Sequence, residues 1–161
     1  MTTLMNKAIF LETLQTGRAQ WEALLTKVDQ ARMTEPGIEG EWSLKDILAH
    51  IAWYEREMVG ILQTRALVGS SLWVLPNTER NAAIFDQNRN RSLSEVLTDA
   101  QHVYSELLHA AQSLTDDDLM DPSRYRDMPA DWVPWKVFAD NSYEHYVAHI
   151  PAIRSWLDAR K

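Results

Sequence analysis

The sequence contains no cysteine, which excludes disulfides, cysteine-based zinc sites and a cysteine nucleophile at once. The same absence fits a reducing compartment, so a cytoplasmic location is expected. Glycine and proline are sparse, five and six in 161 residues, and collagen-like or linker-like sequence is therefore absent. No run of 18 apolar residues occurs, so no membrane helix is expected. The opening Met1-Thr2-Thr3-Leu4-Met5-Asn6-Lys7 lacks a basic stretch followed by an apolar run, and no signal peptide is expected. Positive charge is also short: 16 Lys and Arg face 23 Asp and Glu, a net charge of −7. Such a chain repels phosphate backbones, which argues against nucleic acid as a partner. Neither a Gly-rich phosphate loop nor a G-x-S-x-G elbow is found.

What remains is an ordinary globular composition, 45% hydrophobic and 24% charged. The length suits a single domain over residues 1–161. Seven tryptophans and five histidines are the unusual features.

Apolar residues recur at helical spacing in four long segments. The first, over residues 3–31, carries Leu4, Ala8, Leu11, Leu14, Trp21, Leu24, Leu25 and Val28, with Gly17 as an expected weak point. Thr34-Glu35-Pro36-Gly37 ends it. A second helix is expected from Ser43 to about residue 67, opened by Ser43-Leu44-Lys45-Asp46, a capping box with Asp in the Glu position. Residues 69–76 read as a loop with a buried plug, and a short helix is expected around Asn81–Phe85. The third long helix starts at Ser92 with the capping box Ser92-Leu93-Ser94-Glu95. Thr115–Leu119 reads as a further cap and turn, and residues 121–134 as irregular. The fourth helix is expected over residues 135–159, kinked by Pro151. The fold class that follows is an all-α four-helix bundle with long 2–3 and 3–4 connections, in which crossovers are open.

On a wheel of about 100° per residue, Phe138 and Trp156 share one angle, and His145 and His149 flank that line within about 20°. The two imidazoles stand one turn apart at the centre of the apolar stripe. His50, between Ile47 and Tyr54, faces inward from the second helix. Two His four residues apart plus a third from another helix is a ligand set for one metal ion with an open position. The alternative is a set of core histidines that satisfy one another. Pro151 frees the carbonyl of Val147, and a kink there would either tilt His149 away or tune the site. His102 and His109 share the polar face of the third helix with Glu95, Asp99 and Glu106 and read as surface residues. The pair Glu106 and His109 has di-iron spacing, but it stands alone and faces outward, so a di-iron reading is rejected.

The aromatic residues divide similarly. Trp53, Tyr54 and Trp135 are candidate pocket walls, and Trp132 with Trp135 could cap the open end. Trp21, Trp42, Trp73 and Trp156 read as packing. Glu57 is read chiefly as a solvated charge, with a secondary reading as a base or orienter near His50.

Gly40-Glu41-Trp42-Ser43-Leu44-Lys45-Asp46-Ile47-Leu48-Ala49-His50-Ile51-Ala52-Trp53-Tyr54-Glu55 resembles the second-helix signature of the DinB/YfiT-like superfamily. Asn141-Ser142-Tyr143-Glu144-His145-Tyr146-Val147-Ala148-His149 resembles its fourth-helix H-x-x-x-H signature. The stretch from Asn81 to Leu97 is similar to the ClbS/DfsB-type branch. The resemblance covers about residues 5–158 and implies a four-helix bundle. It implies a divalent metal, zinc or nickel, on His50, His145 and His149. It further implies a homodimer and a role in stress protection.

Three functions follow as expectations. The first is a metal-dependent enzyme that activates a low-molecular-weight thiol or water for S-transfer to, or hydrolysis of, a small electrophile. With no cysteine in the chain, any thiol must be a small-molecule cosubstrate. The second, carried by the ClbS-type resemblance, is a metal-free protective or small-molecule-binding bundle. The third is a partner-binding bundle whose histidines are merely structural.

Overall fold

A computed structural model describes residues 4–159. The starting residue expected for the first helix, Thr3, lies outside the described residues, as do the other ends of the expected 1–161 domain. Among the described residues the fold is all-helical. In chain order the helices are α1 (Lys7–Leu25), α2 (Leu44–Thr64), α3 (Asn77–Asn88), α4 (Leu93–Gln112), α5 (Asp116–Met120), α6 (Pro134–Asp140) and α7 (Tyr143–Asp158), with short 3-10 turns at Gln30–Arg32, Ser71–Val74 and Pro122–Arg124. None of the described helices is long and apolar enough to cross a membrane.

Local chemistry sets the helix starts. Ser43 accepts from the Asp46 N–H while Asp46 accepts from the Ser43 N–H, and Ser92 with Glu95 repeats the arrangement at α4. Thr115 with Asp118 does the same at α5. Each box satisfies amides that the helix itself cannot pair. α2 ends at Arg65, whose φ of 52° is left-handed.

Packing pairs α2 with α4 and α1 with α7, while α3 lies on α2. The shared core holds Phe10, Leu14, Trp21, Ile47, Leu107, Phe138 and Tyr146, all essentially buried. Burial of each such apolar side chain stabilises by about 1.5–3 kcal/mol. A smaller cluster of Trp53, Tyr54 and Ile84 joins α3 to α2.

Two expectations are corrected. Gly17 does not interrupt α1, which is continuous from Lys7 to Leu25. It instead lets α7 approach: a Cβ at Gly17 would stand 2.9 Å from the Cβ of Tyr143. The expected fourth helix is two helices, and the break is at Asn141–Ser142 rather than at Pro151. There the side chains of Asn141 and Ser142 return to the carbonyls of Val137 and Phe138, at 2.8 and 2.6 Å. α7 runs through Pro151 without interruption, with Pro151 and Val147 both on its exposed side.

Candidate metal centre

α2 and α7 bring three imidazoles together. One potential ligand atom from each of His50, His145 and His149 lies within 4.8 Å of the other two. The Nε2 atoms of His50 and His145 are 3.0 Å apart. His50 is buried, and the other two are partly buried at the floor of a cleft. Burial holds His50 neutral, pushing its pKa down to about 2, with His145 and His149 adding to the shift. Burial and then His149 lower that of His145 to about 3. Charging either ring would place a cation in a dry site beside other imidazoles. Neutral rings keep the lone pairs that a metal requires.

His149 is oriented from outside the helices. Its Nδ1 lies 2.7 Å from Oε1 of Glu39. A ring that donates from Nδ1 to a carboxylate presents Nε2 as the free acceptor, the usual support for a metal-binding imidazole. Glu39 sits in a tight turn closed by the Ile38 N–H to the Trp42 carbonyl and the Trp42 N–H to the Glu39 carbonyl, both 2.9 Å. Gly40 carries the positive φ of 58° that this turn needs. The turn also sets Trp42 edge-on to His50, with ring centroids 5.1 Å apart.

The donor set fits a divalent cation. A tetrahedral ion with bonds of about 2.0–2.1 Å holds its nitrogen ligands roughly 3.3 Å apart, close to the observed His50–His145 separation. The 3.0 Å contact also suits two neutral imidazoles sharing one Nε2 proton. In either state the Nδ1 atoms of His50 and His145 are buried without a partner among the described residues, and an unpaired buried donor costs about 1–3 kcal/mol.

The candidate wall residues separate. Tyr54 lines the cleft of about 370 Å³ over the histidines, together with Trp73, Arg80, Asn81 and Asp140. Tyr54 donates to Asn81 at 2.7 Å and accepts from Arg80 at 3.0 Å. Trp53 lies behind it, packed on Tyr54 and Trp73, and Trp135 packs against the main core. Neither lines the clefts at the histidines. Trp132 lines a separate cavity. Trp42 and Trp73, read from the sequence as packing, border the site. Glu57 is half-buried and bonds away from the imidazoles: its Oε1 accepts from the Ser70 N–H at 2.5 Å and from Trp73 Nε1 at 2.7 Å. His102 and His109 are exposed, as read.

Sequence reasoning missed Glu39, Arg80 and Asp140. Glu39 had no periodic signal, only the neighbouring glycines of a turn. It also missed a buried network beside the site. Tyr146 accepts from Arg18 at 3.0 Å and donates to Glu55, while Trp21 stacks on the Tyr146 ring. Burial pushes the Glu55 carboxyl up to about 7 against the opposing pull of Arg18 and Tyr146.

The sequence profile described as the DinB superfamily matches residues 11–150. No curated protein sequence matches the chain. Three solved structures share its fold. One is an uncharacterised protein from Escherichia coli UTI89, with a TM-score of 0.78 at 14% identity, covering 98% of this chain and 96% of that one. A protein from Streptococcus pneumoniae gives 0.77 at 15%, covering 97% and 92%. The third, described as a sibling lethal factor precursor, DfsB, gives 0.79 at 13%, covering 99% of both chains. At these identities the likeness is one of fold.

Proposed function

We propose, for a chain that belongs to the DinB superfamily, a divalent-metal-dependent enzyme built on a four-helix bundle. His50, His145 and His149 would hold the ion, zinc or nickel. The carrying observation is the convergence of three ligand atoms within 4.8 Å, one of them oriented by Glu39. When bound, such an ion supplies Lewis acidity that draws the pKa of a thiol or water down toward neutrality. The reaction is transfer of a small thiol to an electrophile, or hydrolysis of that electrophile, in stress protection. The same reading makes the protein a cytoplasmic homodimer.

The chain's own groups have separable roles in this reading. Burial keeps His50 and His145 unprotonated, so protons do not compete for their lone pairs. Glu39 fixes the His149 ring. Trp42 and Tyr54 lie edge-on to His50 and restrict water on its flanks. Arg80, with no carboxylate within 4.0 Å among the described residues, leaves positive charge in the cleft suited to an acidic group on the cosubstrate.

The 3.0 Å Nε2–Nε2 contact favours a second reading, since a metal-free pair sharing one proton has the same spacing. This is the metal-free protective or binding protein. Metal content of the untagged protein by mass spectrometry, beside His145→Ala/His149→Ala, separates the two. Near-stoichiometric metal that vanishes in the variant supports the enzyme. Protein that stays metal-free after incubation with zinc and nickel and desalting overturns it.

A further inference from the structure

A cavity of about 590 Å³ lies beside the histidine cleft. It is lined by Met58, Ile61, Leu67, Val137 and the two indoles Trp73 and Trp132, among others. It shares Trp73, Asp140 and Asn141 with the cleft over the histidines, so the two spaces meet at one wall. A volume of roughly 300–1,000 Å³ with apolar walls and a few polar groups is that of a small-molecule site.

The dividing wall is built rather than incidental. Trp73 is gripped at its indole N–H by Glu57 and covered by the Arg80 guanidinium, 4.8 Å from the ring centroid. Gly69 leaves room for this arrangement. A Cβ there would stand 2.7 Å from Glu57 Oε1 and 2.9 Å from Trp73 Nε1. At the mouth, Val68 and Trp132 remain 38% and 40% exposed, a combination that has no role in the core. The indole of Trp132 lies on the same cavity, in position to cover a ligand.

Asp140 gives the cavity its electrostatic sign. It is exposed, lies at the junction of the two spaces, and makes no ion pair within 4.0 Å among the described residues. It is the last residue of α6, where a carboxylate meets helix carbonyls and gains nothing from the helix. A fixed negative charge at the rim of an apolar space complements a cation attached to an apolar body.

We propose that this cavity binds the apolar body of a small molecule that carries a positively charged nitrogen, with the nitrogen at Asp140. The inference deepens the function above, and rests on it only for what happens at the histidines. The binding itself needs no metal.

The test uses two matched probes, 1-naphthylmethylamine as the cation and 1-naphthaleneacetate as the anion. Each is titrated into the full-length protein in the presence of a chelator, with binding read by calorimetry and tryptophan quenching. Saturable binding of the cation is expected, about three- to fivefold tighter than the anion, the range of an exposed charge pair. Asp140→Asn should cut that preference by at least half while keeping the binding of both probes. The control matters because the net charge of −7 favours any cation, and the variant isolates the local contribution. Val137→Trp, which fills the cavity, and Trp132→Ala, which opens it, should each weaken both probes about tenfold. Trp132 is exposed, so its variant keeps the test alive should Val137→Trp misfold. Absence of saturable binding, binding indifferent to both cavity variants, or a cation preference undiminished in Asp140→Asn would each overturn the proposal. Since all titrations exclude metal, failure here and failure of the metal-content assay are separate results.

Discussion

Lowering the pH from about 7.5 to about 5 should destabilise the metal-free protein only modestly, because two opposing titrations nearly offset. His50 and His145 have folded pKa values near 2 and 3, against about 6.5 in an unfolded chain. As pH falls below about 6.5 the unfolded state takes up protons that the folded state refuses, so stability is lost. At about pH 5 each group lies roughly 1.5 units below its unfolded value, a loss of about 2 kcal/mol per histidine and about 4 kcal/mol together. Glu55 acts with the opposite sign. Its folded pKa is near 7, above the unfolded value of about 4.3. The folded state therefore takes up a proton first, and about 2–3 kcal/mol of stability is regained over the same interval.

The expected net loss is about 1–2 kcal/mol, measured by urea unfolding at a series of pH values with chelator present. The variants turn this into a test of each contribution. Glu55→Gln removes the regain, and the loss should grow to about 4 kcal/mol. His145→Leu removes one of the two losses, and the profile should become nearly flat. The slopes are compared, not the absolute stabilities, because either variant disturbs its neighbours. A Glu55→Gln slope equal to that of the unmodified protein would refute the raised pKa of the buried Glu55 carboxyl. A His145→Leu slope unchanged from it would refute the desolvated imidazole.

Other consequences follow from the same contacts. Glu39→Gln keeps the turn but weakens the carboxylate grip on His149, and metal affinity should fall about 10–100-fold by competition with a chromogenic chelator. An unchanged affinity would remove Glu39 from the site. Gly17→Ala sets a helix gain of about 1 kcal/mol against the 2.9 Å approach to Tyr143, where overpacking costs about 1–3 kcal/mol. A lower Tm is expected, and a higher one would show that α7 yields freely. Tyr146→Phe keeps the ring that stacks on Trp21 but strips the hydroxyl from Arg18 and Glu55. It should cost about 1–3 kcal/mol in denaturant unfolding, and full retention of stability would show that this network is dispensable.

Three of the seven described helix starts were legible because they are written in short local codes. Ser43 with Asp46, Ser92 with Glu95 and Thr115 with Asp118 each name their own hydrogen bonds. The histidine placement was legible because a wheel reports which face a residue occupies, and His50, His145 and His149 do share one centre. Continuity was not legible. Phe138 and Trp156 are both buried, so the stripe crosses the break at Asn141–Ser142 without a visible fault. A proline drew attention to Pro151, yet its lost hydrogen bond falls on the exposed side of α7, where the helix tolerates it. The role of Glu39 was invisible for a different reason. Its 110-residue separation from His149 is set by how the turn before α2 lies against α7, which neither periodicity nor spacing encodes.

The position of the Arg18–Glu55–Tyr146 network answers the geometric demand of the histidines. A buried ion pair is a poor source of stability, since desolvation offsets most of its attraction. Apolar residues at these three positions would pack the core as well. What such residues lack is direction. Tyr146 both accepts from Arg18 on α1 and donates to Glu55 on α2, so α7 is fixed in rotation by two helices at once. His145 is the residue before Tyr146, and a single-residue rotation of α7 would swing it about 100° away from His50. Leu or Phe at position 146 would tolerate a range of rotations that the 3.0 Å approach of the two imidazoles does not. On this argument the network trades stability for orientation, and Gly17 serves the same end by admitting the first turn of α7 against α1. The imidazoles converge because α7 is held in one rotation, and the residues that hold it are those least explained by stability alone.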